Sequence, residues 1–390
     1  MRNRFALILA SAVTLCIVGC KKDGGSDAKP ADAATIKIGQ FASLTGKEAT
    51  FGGQVDNGVK LAVDEINKAG GLLGKQITLV TEDTQSDSKG AQNSVEKLIS
   101  KDHVIAVIGE VASSRSIAAA PICEREKVPM LSPASTNEKV TVENGKVKDY
   151  IFRICFIDPF QGAVMAKFAA QNLNVKQVAI LKDNASDYSV GLAKNFTEKF
   201  QGLGGTIAIE QAFTGGQSDF KAELTAIKAK NPQAIFVPGY YTEVSLIAAQ
   251  ARELGITVPL LGGDGWDSPE LTKGAGGPAL EGCYFSNHYS NDDTSQAVQG
   301  FIKRYEAAYK NEAPGAMSAL GYDAMNIIAA VIKTSGKADP ESIKTGLATL
   351  KGYSGVTGNI TIDPNHNATK SAVILQIKGG KFTYSATVAP

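Results

Sequence analysis

The chain has 390 residues, with 40 Lys and Arg against 39 Asp and Glu, 43% hydrophobic and 7% aromatic residues, five Cys and three His. A balance so near neutrality leaves no electrostatic field for nucleic acid. The apolar fraction is that of an ordinary globular protein, and beyond the N-terminus no stretch approaches the ~20 apolar residues of a membrane-spanning helix.

Arg2 and Arg4 precede an apolar run over residues 5–18, which is short for a membrane span and reads as the core of a signal peptide, residues 1–19. The run ends in Ile17-Val18-Gly19-Cys20. A small residue before cysteine resembles the bacterial lipobox, which implies cleavage before Cys20 and lipidation of that residue. An ordinary signal peptide with an incidental cysteine is the alternative. Residues 20–34 are rich in Gly, Pro, Ala and charge and read as a lipid-anchored, flexible tether. Its reach is about 20 Å. The expected location is the periplasm or cell surface, with the anchor at Cys20.

From residue 35, β-rich runs recur at 36–41, 77–81, 104–109, 128–131 and 151–156, then at 178–181, 206–212, 234–238, 258–261 and 283–286. Segments with helical spacing lie between them. In residues 53–69, Val55, Val59, Ala62, Val63 and Ile66 share one helix face, and 217–230 and 244–254 repeat the pattern. Strand–helix alternation with continuous apolar strands predicts parallel sheets covered on both faces. Ten strands exceed one ordinary domain, so two doubly wound, Rossmann-like α/β lobes are expected, sharing a cleft at the carboxyl ends of their strands.

No G-x-S-x-G, H-E-x-x-H or G-x-x-x-x-G-K-[ST] motif occurs. Gly71-Leu72-Leu73-Gly74-Lys75 has the wrong spacing for a phosphate loop and reads as a turn. His103, His288 and His366 are scattered, and Cys123, Cys155 and Cys283 form no CxxC pair, so neither a metal site nor a catalytic triad is expected. In an exported chain those cysteines are free to form one disulfide and leave one thiol over. No enzyme activity and no cofactor are expected.

Eight stretches, IKIGQFASLTG (36–46), VDEINKAGGLLGKQITLVTED (63–83), VIGEVASS (107–114), VPMLSPASTN (128–137), YIFRICFIDPFQG (150–162), FVPGYYTE (236–243), LGGDGWDSP (261–269) and ALGYDA (319–324), carry a likeness. In that order and spacing the chain resembles the type I periplasmic binding proteins of the leucine/isoleucine/valine class. The resemblance implies two lobes joined by a three-segment hinge. Lobe one is mapped to 35–154 and 284–370, and lobe two to 155–283 and 371–390. It implies a monomer that passes an amino acid to the permease and ATPase subunits of an ABC transporter.

The residues support such a site. Ser113 and Ser114 follow a strand and open a helix, where hydroxyls and N–H groups suit a carboxylate. A plain N-cap is the alternative. The resemblance assigns Ser113 and Thr136 to the ligand carboxylate, the carbonyl of Ala134 and the side chain of Asp264 to its ammonium, and Phe51, Tyr188 and Tyr240 to its side chain. Trp266 is a further candidate wall. Arg115 departs from the leucine-class pattern: it is either a bidentate grip on a second carboxylate or a solvated helix residue. Ala112 stands where the class has a cysteine of a local disulfide, and Cys123 with Cys155 is the candidate replacement. Those assignments favour a neutral, branched-chain amino acid. The rivals are the binding subunit of a sensor and a transporter for acidic amino acids, amides or other small organic acids.

Overall fold

The computed structural model describes residues 35–389 apart from 275 and 311, so the signal peptide, Cys20 and the tether lie outside the described residues. In chain order the first part runs β1 (Ile36–Ala42), α1 (Ala49–Lys68), β2 (Ile77–Asp83), α2 (Ser88–Ser100), β3 (Val107–Ile108), α3 (Ser113–Glu126), β4 (Met130–Ser132), β5 (Val142–Glu143), β6 (Lys146–Val147) and β7 (Ile151–Arg153). Then follow α4 (Asp158–Lys167), β8 (Gln177–Asp183), α5 (Asp187–Gly202), β9 (Thr206–Phe213), α6 (Lys221–Lys228), β10 (Ala234–Phe236), α7 (Tyr241–Glu253), β11 (Leu260–Gly262), α8 (Gly276–Ala279) and β12 (Tyr284–Asn287). The remainder comprises α9 (Gln296–Ala308), α10 (Ala316–Ser335), α11 (Pro340–Ala348), β13 (Tyr353–Gly355), β14 (Gly358–Ile362), β15 (Ala368–Thr369), β16 (Ala372–Lys378) and β17 (Lys381–Val388).

Each of the ten expected strands is present. The first five form a parallel sheet in the order β2-β1-β3-β4-β7. The next five are parallel in the order β9-β8-β10-β11-β12, and β16 and β17 extend that sheet antiparallel at its edge. Counting along the chain, both parallel cores therefore have the same doubly wound order, second-first-third-fourth-fifth, whose switch point lies beside the first strand. The apolar runs alternate as that arrangement requires. In β8, Val178 and Ile180 pack with Leu192 and Phe196 of α5, while Ala179 and Leu181 join the core on the opposite face with Leu224 and Val244.

The chain passes between the sheets through residues 154–157, 288–295 and 370–371. Tyr284–Asn287, expected at the start of the second segment of lobe one, instead lies in the larger sheet. Its backbone pairs with β11 on one side and β16 on the other, so the chain leaves that sheet after Asn287. The returning segment docks α10 on α1. No described helix is long and apolar enough to cross a membrane.

The expected Cys123–Cys155 bridge is absent. Cys123 lies in the core beneath α2 and α3, Cys155 sits on the first connection, and both are buried free thiols, as is Cys283. The Cys155 thiol donates to the Ser135 carbonyl at 3.2 Å. Burial holds it protonated, with its pKa pushed up to about 12. Protein lacking residues 1–34, denatured without reductant, should therefore expose three reactive thiols and the native fold none. A disulfide-exchange titration that finds a single thiol in the denatured chain would restore the bridge.

Candidate functional site

Loops from the two sheets meet: residues after β1 and β3 line one cavity with residues after β8 and β10, and Asn137, after β4, donates to the Asp187 carbonyl. From the first sheet come the loops after β1, β3 and β4; from the second, those after β8, β10 and β11. α3 begins without a side-chain cap, leaving its first N–H groups for another acceptor. The buried Ser113 hydroxyl accepts from Asn137 N–H at 3.1 Å, so its own proton remains to be donated. Thr136 is buried and its hydroxyl has no hydrogen-bond partner among the described residues. Beneath them, Arg153 donates to the Ser135 and Asn137 carbonyls, each at 2.7 Å. These bonds fix alternate peptide groups of the loop that carries Ala134 and Thr136. The result is a dehydrated cradle of hydroxyls and N–H groups suited to a carboxylate.

Opposite lies an acidic centre. Asp264 is buried in the turn after β11, its two oxygens meeting Gln161 Nε2 at 2.8 Å and His288 Nε2 at 2.9 Å. The flanking glycines are there for space. A Cβ on Gly263 would come within 2.1 Å of Gln161 Oε1 and 2.5 Å of the Tyr188 hydroxyl, and one on Gly265 within 2.6 Å of the Gly239 carbonyl. Asp158, at the start of α4, is 0% exposed and neither carboxyl oxygen has a hydrogen-bond partner. Burial pushes its pKa well above the usual carboxylate range, and the neighbouring Asp264 pushes the same way. A buried carboxyl group with no partner marks a place where a cation fits.

The expected aromatic residues form one wall. Tyr188 stacks on Tyr240 with centroids 5.2 Å apart, and Phe51 meets Tyr240 edge-on at 5.8 Å. Trp266 does not join them. It is wholly buried in the core of the second lobe, its indole N–H donating to the Val237 carbonyl at 3.0 Å. Ser114 is turned across the lobe boundary, donating to an Asp187 carboxylate oxygen at 3.0 Å, so it ties α3 to the start of α5.

Arg115 is neither solvated nor free. It is 6% exposed and its guanidinium is paired with Glu48, lies 3.6 Å from Glu110, and donates to Ser43 Oγ at 3.0 Å and the Ser86 carbonyl at 2.8 Å. The two carboxylates outnumber the guanidinium and hold it fully protonated. Both terminal nitrogens are engaged and the charge is already paired, which disfavours a second ligand carboxylate there. Beside this cluster a cavity of about 190 Å³ opens between the lobes, lined by Lys47, Glu48, Ser114, Arg115, Asp183 and Tyr240 among others. A larger cavity, about 560 Å³, is an open groove between α10 and α11 that gathers no buried polar side chain. The functional reading therefore follows the buried groups and not the volume.

Asp158, Gln161 and His288 belong to no motif that marks them as site residues in the sequence. The first two lie inside the stretch 150–162, where an acidic residue opens a helix after a strand. His288 carried no local signal, because its partner is 24 positions away.

A family model described as periplasmic binding protein matches residues 35–381. A Leu/Ile/Val-binding protein of Rhizobium johnstonii is 31% identical over 89% of this chain and 92% of its own length. A protein of Pseudomonas aeruginosa named for binding leucine, isoleucine, valine, threonine and alanine is 32% identical, over 85% and 86%. Among solved structures, a leucine-binding protein of Thermotoga maritima superimposes with a TM-score of 0.86 at 41% identity, over 91% of this chain and 99% of that one. A branched-chain amino acid transporter substrate-binding protein of Streptococcus pneumoniae, in complex with isoleucine, gives 0.86 at 37%, over 92% and 100%. The chain belongs to the periplasmic binding protein family.

Removing Arg115 would leave Glu48 and Glu110 buried together, with only the half-exposed Lys47, 3.3 Å from Glu48, to compensate. Arg115→Ala should destabilise the fold by about 3 kcal/mol. Urea unfolding checks this; a change within 0.5 kcal/mol, typical of a surface residue, would mean the guanidinium is not held in the cluster.

Proposed function

We propose that this periplasmic binding protein captures a neutral, apolar amino acid outside the cytoplasm and delivers it to the permease and ATPase subunits of an ABC transporter. Leucine, isoleucine and valine are the leading ligands. In this reading Ser113, Thr136 and the start of α3 hold the α-carboxylate, while Asp264, Asp158 and the Ala134 carbonyl hold the α-ammonium. Phe51, Tyr188 and Tyr240 enclose the side chain. The protein works as a monomer and binds without turnover.

One observation carries the choice of a neutral side chain. The single arginine at the cleft, Arg115, is already paired with Glu48 and Glu110. A charged ligand side chain entering the cleft would be dehydrated without a partner, which is strongly unfavourable, whereas an aliphatic one gains by leaving water. The same fact disfavours the acidic-ligand alternative.

A thermal-shift panel of the twenty amino acids tests the assignment, since a ligand at 100 times its dissociation constant adds about 2.7 kcal/mol. Branched-chain amino acids should shift the transition, and glutamate and aspartate should not. A panel in which only the acidic amino acids stabilise the protein would sink the reading. Asp264→Ala should weaken binding by roughly 30-fold or more, the effect of losing one partner of a buried charge pair. A loss under threefold by calorimetry, with the fold intact, would remove Asp264 from the site.

The anchor belongs to the same proposal. A lipidated Cys20 would hold the protein firmly at a membrane, each buried CH₂ contributing ~0.8 kcal/mol. Cys20→Ser should yield protein in the soluble fraction with unchanged ligand affinity. Equal partitioning of wild type and variant would refute the lipoprotein form.

A further inference from the structure

The acidic centre has more negative charge than its surroundings neutralise. Asp158 and Asp264 are both buried. Charged groups from each element packed on them are accounted for elsewhere. Arg153, from β7, donates from its two terminal nitrogens to loop carbonyls and Thr141 Oγ1; its Nε has no partner, and its charge draws the Asp158 pKa down only in part. Lys370, from the third connection, is bound to Thr357 Oγ1 at 2.6 Å and faces Asp323. Glu138 adds negative charge from the loop after β4, and Asp267 does so beside Asp264. The Tyr188 and Tyr240 hydroxyls and the Cys155 thiol, which also face Asp264, are kept neutral by burial. The Thr136 hydroxyl faces Asp158 without meeting it in hydrogen-bond geometry.

His288 completes the centre. It lies on the second connection between the lobes, 3% exposed, with Nε2 on Asp264 and Nδ1 unpartnered. Its ring is stacked on Phe156 of the first connection at 3.7 Å. A ring so placed donates one N–H to Asp264 and fixes where that carboxylate points.

We propose that His288 is a positioning residue that aims Asp264 at the ligand's ammonium, and that Asp158 carries a proton in the empty cleft which it releases when the ammonium binds. This rests on the amino-acid reading above. The balance is simple: protonated empty protein and zwitterionic ligand give the complex and one free proton. The Asp158 O–H bond breaks, its electron pair stays on the carboxylate, and the ammonium takes over the neutralising role.

The directions agree with this. Burial raises the Asp158 pKa and lowers that of His288, which favours the proton on the carboxyl and a neutral imidazole as donor until a cation arrives. A cation at the site must pull the Asp158 pKa down. Between the two Asp158 values, binding releases a proton and affinity rises with pH; above the higher value affinity is flat.

The test is calorimetry of the full chain with leucine in buffers of different ionisation enthalpy, together with carboxyl ¹³C NMR of Asp158, assigned through Asp158→Asn. In the empty protein the Asp158 signal should titrate above the other carboxylates. Across the pH range over which Asp158 titrates in that NMR series, binding should release up to one proton, and affinity should rise by up to about tenfold per pH unit. Asp158→Asn should bind with no proton release. His288→Leu should weaken binding by roughly tenfold or more, and His288→Gln, which keeps a neutral donor, should recover most of it. An Asp158 that titrates with ordinary carboxylates, or binding with no proton release anywhere in that range, overturns the proton assignment. Equal losses in His288→Leu and His288→Gln overturn the positioning role. If leucine and the other amino acids do not bind wild-type protein at all, the amino-acid reading is what fails, and the Asp158 titration still decides where the proton resides.

Discussion

The constraint that organises this molecule is the energetic cost of taking charge out of water. An amino acid carries both signs on adjacent atoms, and a cleft that excludes water must replace hydration at both. In the proposed reading the protein divides the task between its lobes. Hydroxyls and helix N–H groups of the first lobe form one half of the shell, and carboxyl groups of the second lobe form the other. The second buried charge cluster, Arg115 with Glu48 and Glu110, obeys the same constraint differently. It is paired within one lobe and so shapes the cleft without needing a ligand to hold its guanidinium.

The fold makes that division possible. Both parallel cores have the same strand order, so each offers a crevice at the carboxyl ends of its strands, next to its first strand. The loops and helix starts at these positions bring Ser113, Thr136, Tyr188, Tyr240 and Asp264 to the cleft, with Tyr188 also seated in the core of the second lobe. Immediately behind them the backbone is immobilised. Arg153 pins the loop after β4, and the glycines around Asp264 let that turn approach Tyr188 and Gln161 more closely than any side chain would permit.

The sequence made the strands legible because a doubly covered parallel strand is apolar on both faces, as β8 shows. The short antiparallel strands β13, β14 and β15 were not legible, since two to five residues give no measurable period. Among site residues, those in loops after strands could be read, because position alone implies exposure to the cleft. Trp266 failed that logic. It lies in such a loop, yet it turns inward, its indole N–H held by Val237. Arg115 failed in another way: its partners Glu48 and Glu110 lie on separate loops, and only the folded chain brings their carboxylates onto the guanidinium. His288 and the cysteines depend on pairings between distant segments, which spacing does not encode.

Closure follows from the distribution of the shell. In the proposed reading, a ligand held by the first lobe alone has its carboxylate satisfied and only the Ala134 carbonyl for its ammonium. Only when the second lobe arrives do Asp264, Asp158, Tyr188 and Tyr240 meet the remaining atoms. The ligand therefore has a contact energy that differs between open and closed arrangements, which is the requirement for it to shift that equilibrium. Contacts that need no ligand, Ser114 to Asp187 and the Tyr241 hydroxyl to the Lys47 carbonyl at 3.0 Å, favour the closed arrangement as well. Asn137 Nδ2 to the Asp187 carbonyl at 2.6 Å, Lys139 to the Asp187 carboxylate at 3.2 Å and Lys47 to Glu243 at 3.7 Å act in the same direction, each contributing about 1 kcal/mol or less. The ligand's ammonium adds to them, because in the proposed reading it takes partners from both lobes, the Ala134 carbonyl from the first and Asp264 and Asp158 from the second.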